Sequence, residues 1–158
     1  MIVGVISDTH GKLSPKVLPA FEGVDLILHA GDIGESSILD KLKEVAPVQA
    51  VYGNTDIYTL ASILPSTVEI KLEKLTTVLT HNIGSIQHFV WKRYKHHRFK
   101  MPDIVVFGHT HTPSFDYHQN ILFINPGSAS LPRQGNPATV LRFKVSGSEI
   151  NEHKFIKI

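Results

Sequence analysis

Cysteine is absent from the 158-residue chain. Disulfides, thiolate metal sites and a cysteine nucleophile are therefore all excluded. Any metal must be held by His, Asp, Glu or Asn, donors that suit Mn, Zn, Fe, Ni or Mg rather than soft ions. No apolar run approaches the roughly 18 residues that a bilayer-spanning helix needs. The chain opens on the strand-like run Ile2–Ser7 with no basic segment or cleavable apolar stretch, so no signal peptide and a cytoplasmic location are expected. Charge of one sign is scarce: the formal net charge of +2 is too small to imply a nucleic-acid partner. Repeats, low-complexity tracts and Pro-, Gly- or Ser-rich linkers are also missing. A single domain over residues 1–158 follows, with 42% hydrophobic and 19% charged residues as in an ordinary globular protein.

What is present is an alternation of strand and helix patterns. Strands are expected at Ile2–Ser7, Asp25–His29 and Pro47–Tyr52. Short helices are expected at Pro15–Phe21 and from Ser37 to about Glu44, where Ser37 and Asp40 resemble a capping box. Thr67–Leu72 and Thr76–Thr80 alternate like an antiparallel pair turning at Glu73 and Lys74. Ser85–His97 reads as a helix with Ile86, Phe89, Val90 and Tyr94 on one face. Strand-like runs follow at Ile104–Phe107, Ser114–Tyr117, Ile121–Ile124, Thr139–Val145 and Glu149–Phe155, with Gln119 and Asn120 as a turn. Helices interleave the early strands and the late strands follow as hairpins. That order predicts an α/β protein of two sheets packed face to face with helices outside. A doubly wound single sheet is the alternative.

The chemistry gathers at strand ends. Five apolar strands run into polar clusters: Asp8 and His10, Asp32, Asn54, His81, and His109 and His111. Each piece alone has an ordinary explanation in turns, caps or solvated histidines. Recurrence at one relative position on successive strands does not, because open α/β sheets bind ligands beyond the carboxyl ends of their strands. Glycine precedes Asp32, Asn54 and His109, which lets the backbone turn sharply and approach closely. Seven N/O donors are too many for one ion, whereas a carboxylate can bridge two. Paired ions form the usual clamp for phosphoester hydrolysis.

These residues, in this order, resemble the calcineurin-like metallophosphoesterase superfamily. The run Asn125, Pro126, Gly127, Ser128 followed by Pro132 and Arg133 is similar to its small YfcE-type prokaryotic phosphodiesterases. The resemblance implies a four-layer α/β/β/α sandwich. It also implies two divalent ions, with Mn2+ or Ni2+ first and Fe, Zn, Co or Mg as further candidates. Asp8, His10, Asp32 and His111 would hold one ion and Asp32, Asn54, His81 and His109 the other. Asp32, Asn54 and His109 would also take part in catalysis, and a hydroxide between the ions would attack phosphorus. Two positions depart from the family. Thr55 stands where many members have a histidine that assists the leaving group, and a threonine cannot act as an imidazolium acid. Asn82 stands where the family usually has glycine after the histidine. Thr55 turns the expectation toward small phosphodiesters with good leaving groups. The alternatives are a phosphomonoesterase or nucleotide phosphatase, and a scaffold like the retromer subunit of the same fold.

Around the ligands, Asp56 and His29 are candidates for steadying them from behind. Their ordinary readings are a helix cap and a half-buried strand histidine. Thr9 and Thr110, which lie between ligands, are either orienting groups or spacers. Gly127, Ser128 and Arg133 are candidate phosphate contacts. The basic stretch Lys92–Lys100 scatters its charges over several helix faces, which favours a solvated face over an RNA footprint. The sequence leaves room for a homo-oligomer.

Overall fold

The computed structural model describes residues 1–56, 58–95 and 101–158, the side chains of residues 93–95 excepted. Strand β1 is Ile2–Ile6, followed by helix α1 (Val17–Ala20), β2 (Leu26–His29), α2 (Ser36–Lys43) and β3 (Val48–Ala50). After a 3-10 turn at Leu60–Ser62 come β4 (Thr67–Leu72), β5 (Leu75–Thr80), α3 (Ile86–Lys95) and β6 (Ile104–Val106). The chain then adds β7 (Ser114–His118), β8 (Ile121–Asn125), β9 (Thr139–Ser146) and β10 (Glu149–Lys157). They build two five-stranded mixed sheets, ordered β10-β9-β1-β2-β3 and β4-β5-β6-β8-β7.

Period-two alternation sorts the apolar residues into three cores. Val3, Val5, Leu28, Leu79, Ile104, Val106, Leu122, Ile124, Leu141 and Phe143 point between the sheets. From the opposite faces of the first sheet, Ile6, Ile27 and Val140 meet Val17 and Phe21 of the α1 region and Ile38, Leu39 and Leu42 of α2. Val105, Ile121 and Phe123 on the second sheet meet Ile86, Phe89 and Val90 of α3. The result is the expected four-layer α/β/β/α sandwich. No helix among the described residues is long and apolar enough to cross a membrane.

Turn chemistry follows the sequence closely. Gln119 and Asn120 both take positive φ, 49° and 63°, as a two-residue type I′ hairpin requires. The capping box does not form. Helix α2 begins at Ser36, so Ser37 is already inside the first turn and cannot cap it. Its hydroxyl turns to the Glu35 carboxylate instead, and Asp40 pairs with Lys43 at 3.0 Å. Helix α1 is shorter than expected, only Val17–Ala20. The end of the expected third helix at His96 and His97, and most of the basic stretch to Lys100, lie outside the described residues.

Candidate metal centre

Parallel pairing decides where the polar clusters meet. Strands β1, β2 and β3 run parallel, as do β5, β6 and β8. Each sheet therefore releases three loops at one end. Hydrogen bonding continues past the strands: Asp8 N–H donates to Gly31 O at 3.0 Å, His10 N–H to Asp32 O at 2.9 Å and Gly11 N–H to Ile33 O at 2.7 Å. Gly108 N–H likewise donates to His81 O at 3.0 Å. The ligand-bearing loops are thus extensions of the sheets.

The backbone of these loops is strained. Asp8, His10, Asp32, His109 and His111 all have left-handed φ, between 45° and 67°. Such conformations cost L-residues roughly 1 kcal/mol each and cluster at functional sites. Two of the preceding glycines are required for close approach. A Cβ at Gly53 would lie 2.2 Å from Asp32 Oδ1 and 2.3 Å from the Asp32 amide nitrogen. A Cβ at Gly108 would lie 2.0 Å from Ser7 Oγ and 2.8 Å from Asp8 Oδ2.

All seven expected ligands converge. His111 Nε2 is 3.0 Å from Asp8 Oδ1, and His10 Nε2 is 3.9 Å from both Asp8 Oδ1 and Asp32 Oδ2. His81 Nε2 is 3.4 Å from Asp32 Oδ2 and 3.0 Å from Asn54 Oδ1. His109 Nδ1 is 2.9 Å from the same Asn54 oxygen. Backbone carbonyls orient two of the rings. His81 Nδ1 donates to the Ala30 carbonyl at 2.7 Å, and His111 Nδ1 donates to the Leu131 carbonyl. Each ring therefore turns Nε2 toward a carboxylate oxygen, where either a ring proton or a metal cation fits between the two. Buried Asp8 Oδ1 and His10 Nε2 have no hydrogen-bond partner among the described residues. A third such atom, Thr77 Oγ1, lies on β5, away from this site. Asp8, His10 and His111 form one set of donors close enough to share an ion, and Asp8, Asp32 and His81 form another. Bonds of ~2.1 Å would put neighbouring donors about 3.0–3.4 Å apart around one ion, so the shorter separations suit one directly.

The electrostatics agree. Burial pushes the Asp32 carboxyl upward, yet hydrogen bonds from His81 and Thr55 outweigh it and hold the group well below the usual carboxylate range. Burial also works against charge on His81, but Asp32, the Ala30 carbonyl and Asp8 reverse it, so its pKa is raised. Asp8 is raised by burial, against the pull of Ser7 and the neighbouring histidines. His109 is lowered by burial and by His81, with Arg133 contributing and Asp8 and Asp32 opposing. The centre of the site thus attracts positive charge.

The supporting candidates sort themselves. Asp56 is buried and accepts backbone N–H bonds from Ile33 at 3.0 Å, Gly34 at 2.8 Å and Gly53 at 2.9 Å. It contacts no ligand ring and caps no helix. It clamps the Asp32 loop to the Asn54 loop. His29 is fully buried rather than half-buried. Its Nε2–H donates to Thr9 Oγ1 at 3.0 Å, whose own hydroxyl donates to Ile33 O at 2.9 Å, while its Nδ1 accepts from Gly31 N–H at 3.3 Å. Thr9 is thus a relay in that chain, and Thr110 Oγ1 accepts from Asn125 Nδ2 at 3.0 Å. Gly127 and Ser128 brace the loop from within. Both are buried; Gly127 N–H donates to Asn125 Oδ1 and Ser128 Oγ to the Asp8 carbonyl, each at 2.9 Å. Arg133 remains exposed beside His109. Sequence reasoning missed Ser130, whose hydroxyl also donates to Asp8 O at 3.0 Å, and Ser7, whose Oγ donates to Ala30 O at 3.2 Å. Their only sequence signal is position beside a ligand loop.

The His29 network leaves no acceptor for a second ring proton, and burial lowers its pKa to about 3. An unfolded histidine titrates near 6.5, so the unfolded chain takes up the proton first as pH falls. The stabilisation is complete above about pH 6.5 and is lost as pH falls toward 3, by roughly 2 kcal/mol at about pH 5. Urea unfolding should show this acid slope in the wild type and lose it in His29→Gln. An unchanged slope would show that His29 is not the cause.

The calcineurin-like phosphoesterase superfamily domain matches residues 1–148. The chain belongs to that superfamily. It is 31% identical over 162 residues to a Methanothermobacter thermautotrophicus protein described as "Probable metallophosphoesterase", covering 96% of this chain and 90% of that one. Identity to the phosphodiesterase YfcE of Escherichia coli K12 is also 31%, covering 84% and 82% of the two chains. Among solved structures, Vps29 of Entamoeba histolytica in complex with Zn2+ has a TM-score of 0.80 at 21% identity, covering 100% and 98%. This metallophosphoesterase therefore combines an established fold with a candidate ligand set of the kind its family uses for divalent metals.

Proposed function

We propose that the chain is a divalent-metal-dependent phosphodiesterase with a dinuclear centre. Asp8, His10, Asp32 and His111 would hold one ion, and Asp32, Asn54, His81 and His109 the other. The observation that carries this reading is the position of Asp32 Oδ2, 3.9 Å from His10 Nε2 and 3.4 Å from His81 Nε2. One carboxylate oxygen thus faces a histidine of each set. When bound, such ions supply a hydroxide nucleophile from water and neutralise phosphate charge.

The chain's own groups do the rest. Ala30 and Leu131 carbonyls fix the rings of His81 and His111, which would present Nε2 to an ion when one is bound. His109 reaches the site through Asn54 and, beside exposed Arg133, is placed to contact the substrate phosphate. Thr55 is exposed and donates its N–H to Asp32 Oδ1 at 2.8 Å. It offers no ring to protonate a departing alkoxide, which supports small diesters with good leaving groups over monoesters.

Metal-stripped protein should be inactive on bis(p-nitrophenyl) phosphate. Adding back Mn2+ or Ni2+ should restore turnover, with titration calorimetry counting two ions per chain. Faster turnover of p-nitrophenyl phosphate than of the bis-ester would favour a phosphomonoesterase. Silence with every metal would favour a scaffold.

A further inference from the structure

The first sheet ends in β10, nine residues long and, among the described residues, without a neighbour on its outer side. Exposed edges of this length template pairing with another chain unless something blunts them. The backbone phase of β10 is readable. Ile158 N–H donates to Ala138 O at 3.0 Å, and Val145 N–H turns the other way, to Met1 O at 2.9 Å. In an antiparallel ladder the bonding direction alternates, so residues 152, 154 and 156 bind β9 while His153, Phe155 and Lys157 direct N–H and C=O outward. The register irregularity lies between Ile150 and Glu152, which leaves the stretch from Glu152 onward regular.

We propose that β10 pairs antiparallel with β10 of a second copy, in the register centred on His153. Backbone phase restricts two-fold pairing to registers centred on a residue. Centring on Glu152 sets two glutamates opposite each other, and centring on Lys154 sets two lysines opposite. Centring on His153 puts Glu152 against Lys154 of the second copy, twice by symmetry. Both side chains are exposed and form no ion pair among the described residues. Lys154 also lies opposite Arg142 within its own sheet, a like-charge pair that a glutamate from outside would relieve. Lysines usually blunt an edge, but here the alternation of sign makes one register attractive.

In this register only residues 152–154 pair within the regular stretch, while residues 155–157 meet the irregular segment 149–151, so the ladder alone is too small for a stable interface, which needs roughly 1,200 Å2 or more in total. The second layer offers further surface. The edge strand β7 lies beneath β10, with Phe115 stacked on His153 at 3.8 Å and Tyr117 66% exposed. A two-fold axis at His153 brings both layers of one copy against both layers of the other.

Sedimentation velocity on the full chain at micromolar concentration tests this. The wild type should run with the mass of two chains. Glu152→Lys and Lys154→Glu should each weaken the dimer by about tenfold or more, since each turns both cross-axis attractions into repulsions. The double variant Glu152→Lys/Lys154→Glu should restore it. Lys154→Gln, which removes attraction without adding repulsion, should have a smaller effect, and circular dichroism should show each variant folded. A monomeric wild type would overturn the proposal. So would a dimer indifferent to both single reversals, or a double variant no tighter than either single one.

Discussion

Asp32→Ala is expected to lower turnover of bis(p-nitrophenyl) phosphate by at least about a thousandfold, or ~4 kcal/mol of transition-state stabilisation. The reason is the number of tasks one side chain performs. Its Oδ1 accepts the Thr55 N–H at 2.8 Å, and its Oδ2 faces both His10 and His81. Its carboxyl stays ionised because its pKa is held well below the usual range. Alanine removes a carboxylate whose one oxygen faces His10 and His81, one histidine from each proposed ion set, so bound metal should fall from two ions to at most one per chain. Alanine also forfeits the Thr55 and His81 bonds to Asp32, so circular dichroism on the metal-free variant is needed to separate lost chemistry from lost fold. Activity surviving in Asp32→Ala would sink the shared-ligand mechanism. A normal count of two ions in that variant would do the same.

The second large effect should come from a residue with no side chain. Gly53→Ala places a methyl 2.3 Å from the Asp32 amide nitrogen, a backbone atom that cannot rotate away. Relief requires moving the Asn54 loop from the Asp32 loop, against the Asp56 clamp that joins them. Overpacking of this kind should destabilise the fold by about 2–4 kcal/mol, read as a lower urea midpoint. Displacing Asp32 by as little as ~1 Å should also lower turnover about a hundredfold. An alanine variant with wild-type midpoint and turnover would show that the two loops are not held as the structure has them.

The layers and the convergence of the candidate ligands were legible in the sequence because they rest on local pattern. Continuous apolar runs in Ile2–Ile6, Ile104–Val106 and Ile121–Asn125 announce strands with two buried faces, and a polar residue at each strand end marks the open end of a sheet. Pairing order was less visible, since β1 sits between β9 and β2, which are remote from each other in sequence. Contacts across that distance also decided the supporting residues. Asp56 looks like a loop acid until the Ile33 and Gly34 amides are brought to it. Nothing in the sequence around Ser128 tells of the Asp8 carbonyl that accepts from its hydroxyl. The failed capping box was a matter of two residues: starting the helix at Ser36 rather than after Ser37 puts Glu35 in the cap position.

The left-handed backbone at Asp8, His10, Asp32, His109 and His111 bears on how such a chain drifts once selection for catalysis is lifted. Asparagine and glycine accept that conformation at least expense. At each of these five positions, the substitutions that most weaken ion binding would also ease the main chain. A lineage using this fold only as a surface would then gain stability as it lost its chemistry. Asparagine or glycine at these positions would be the mark of that history. The chain as it stands keeps aspartate and histidine at all five.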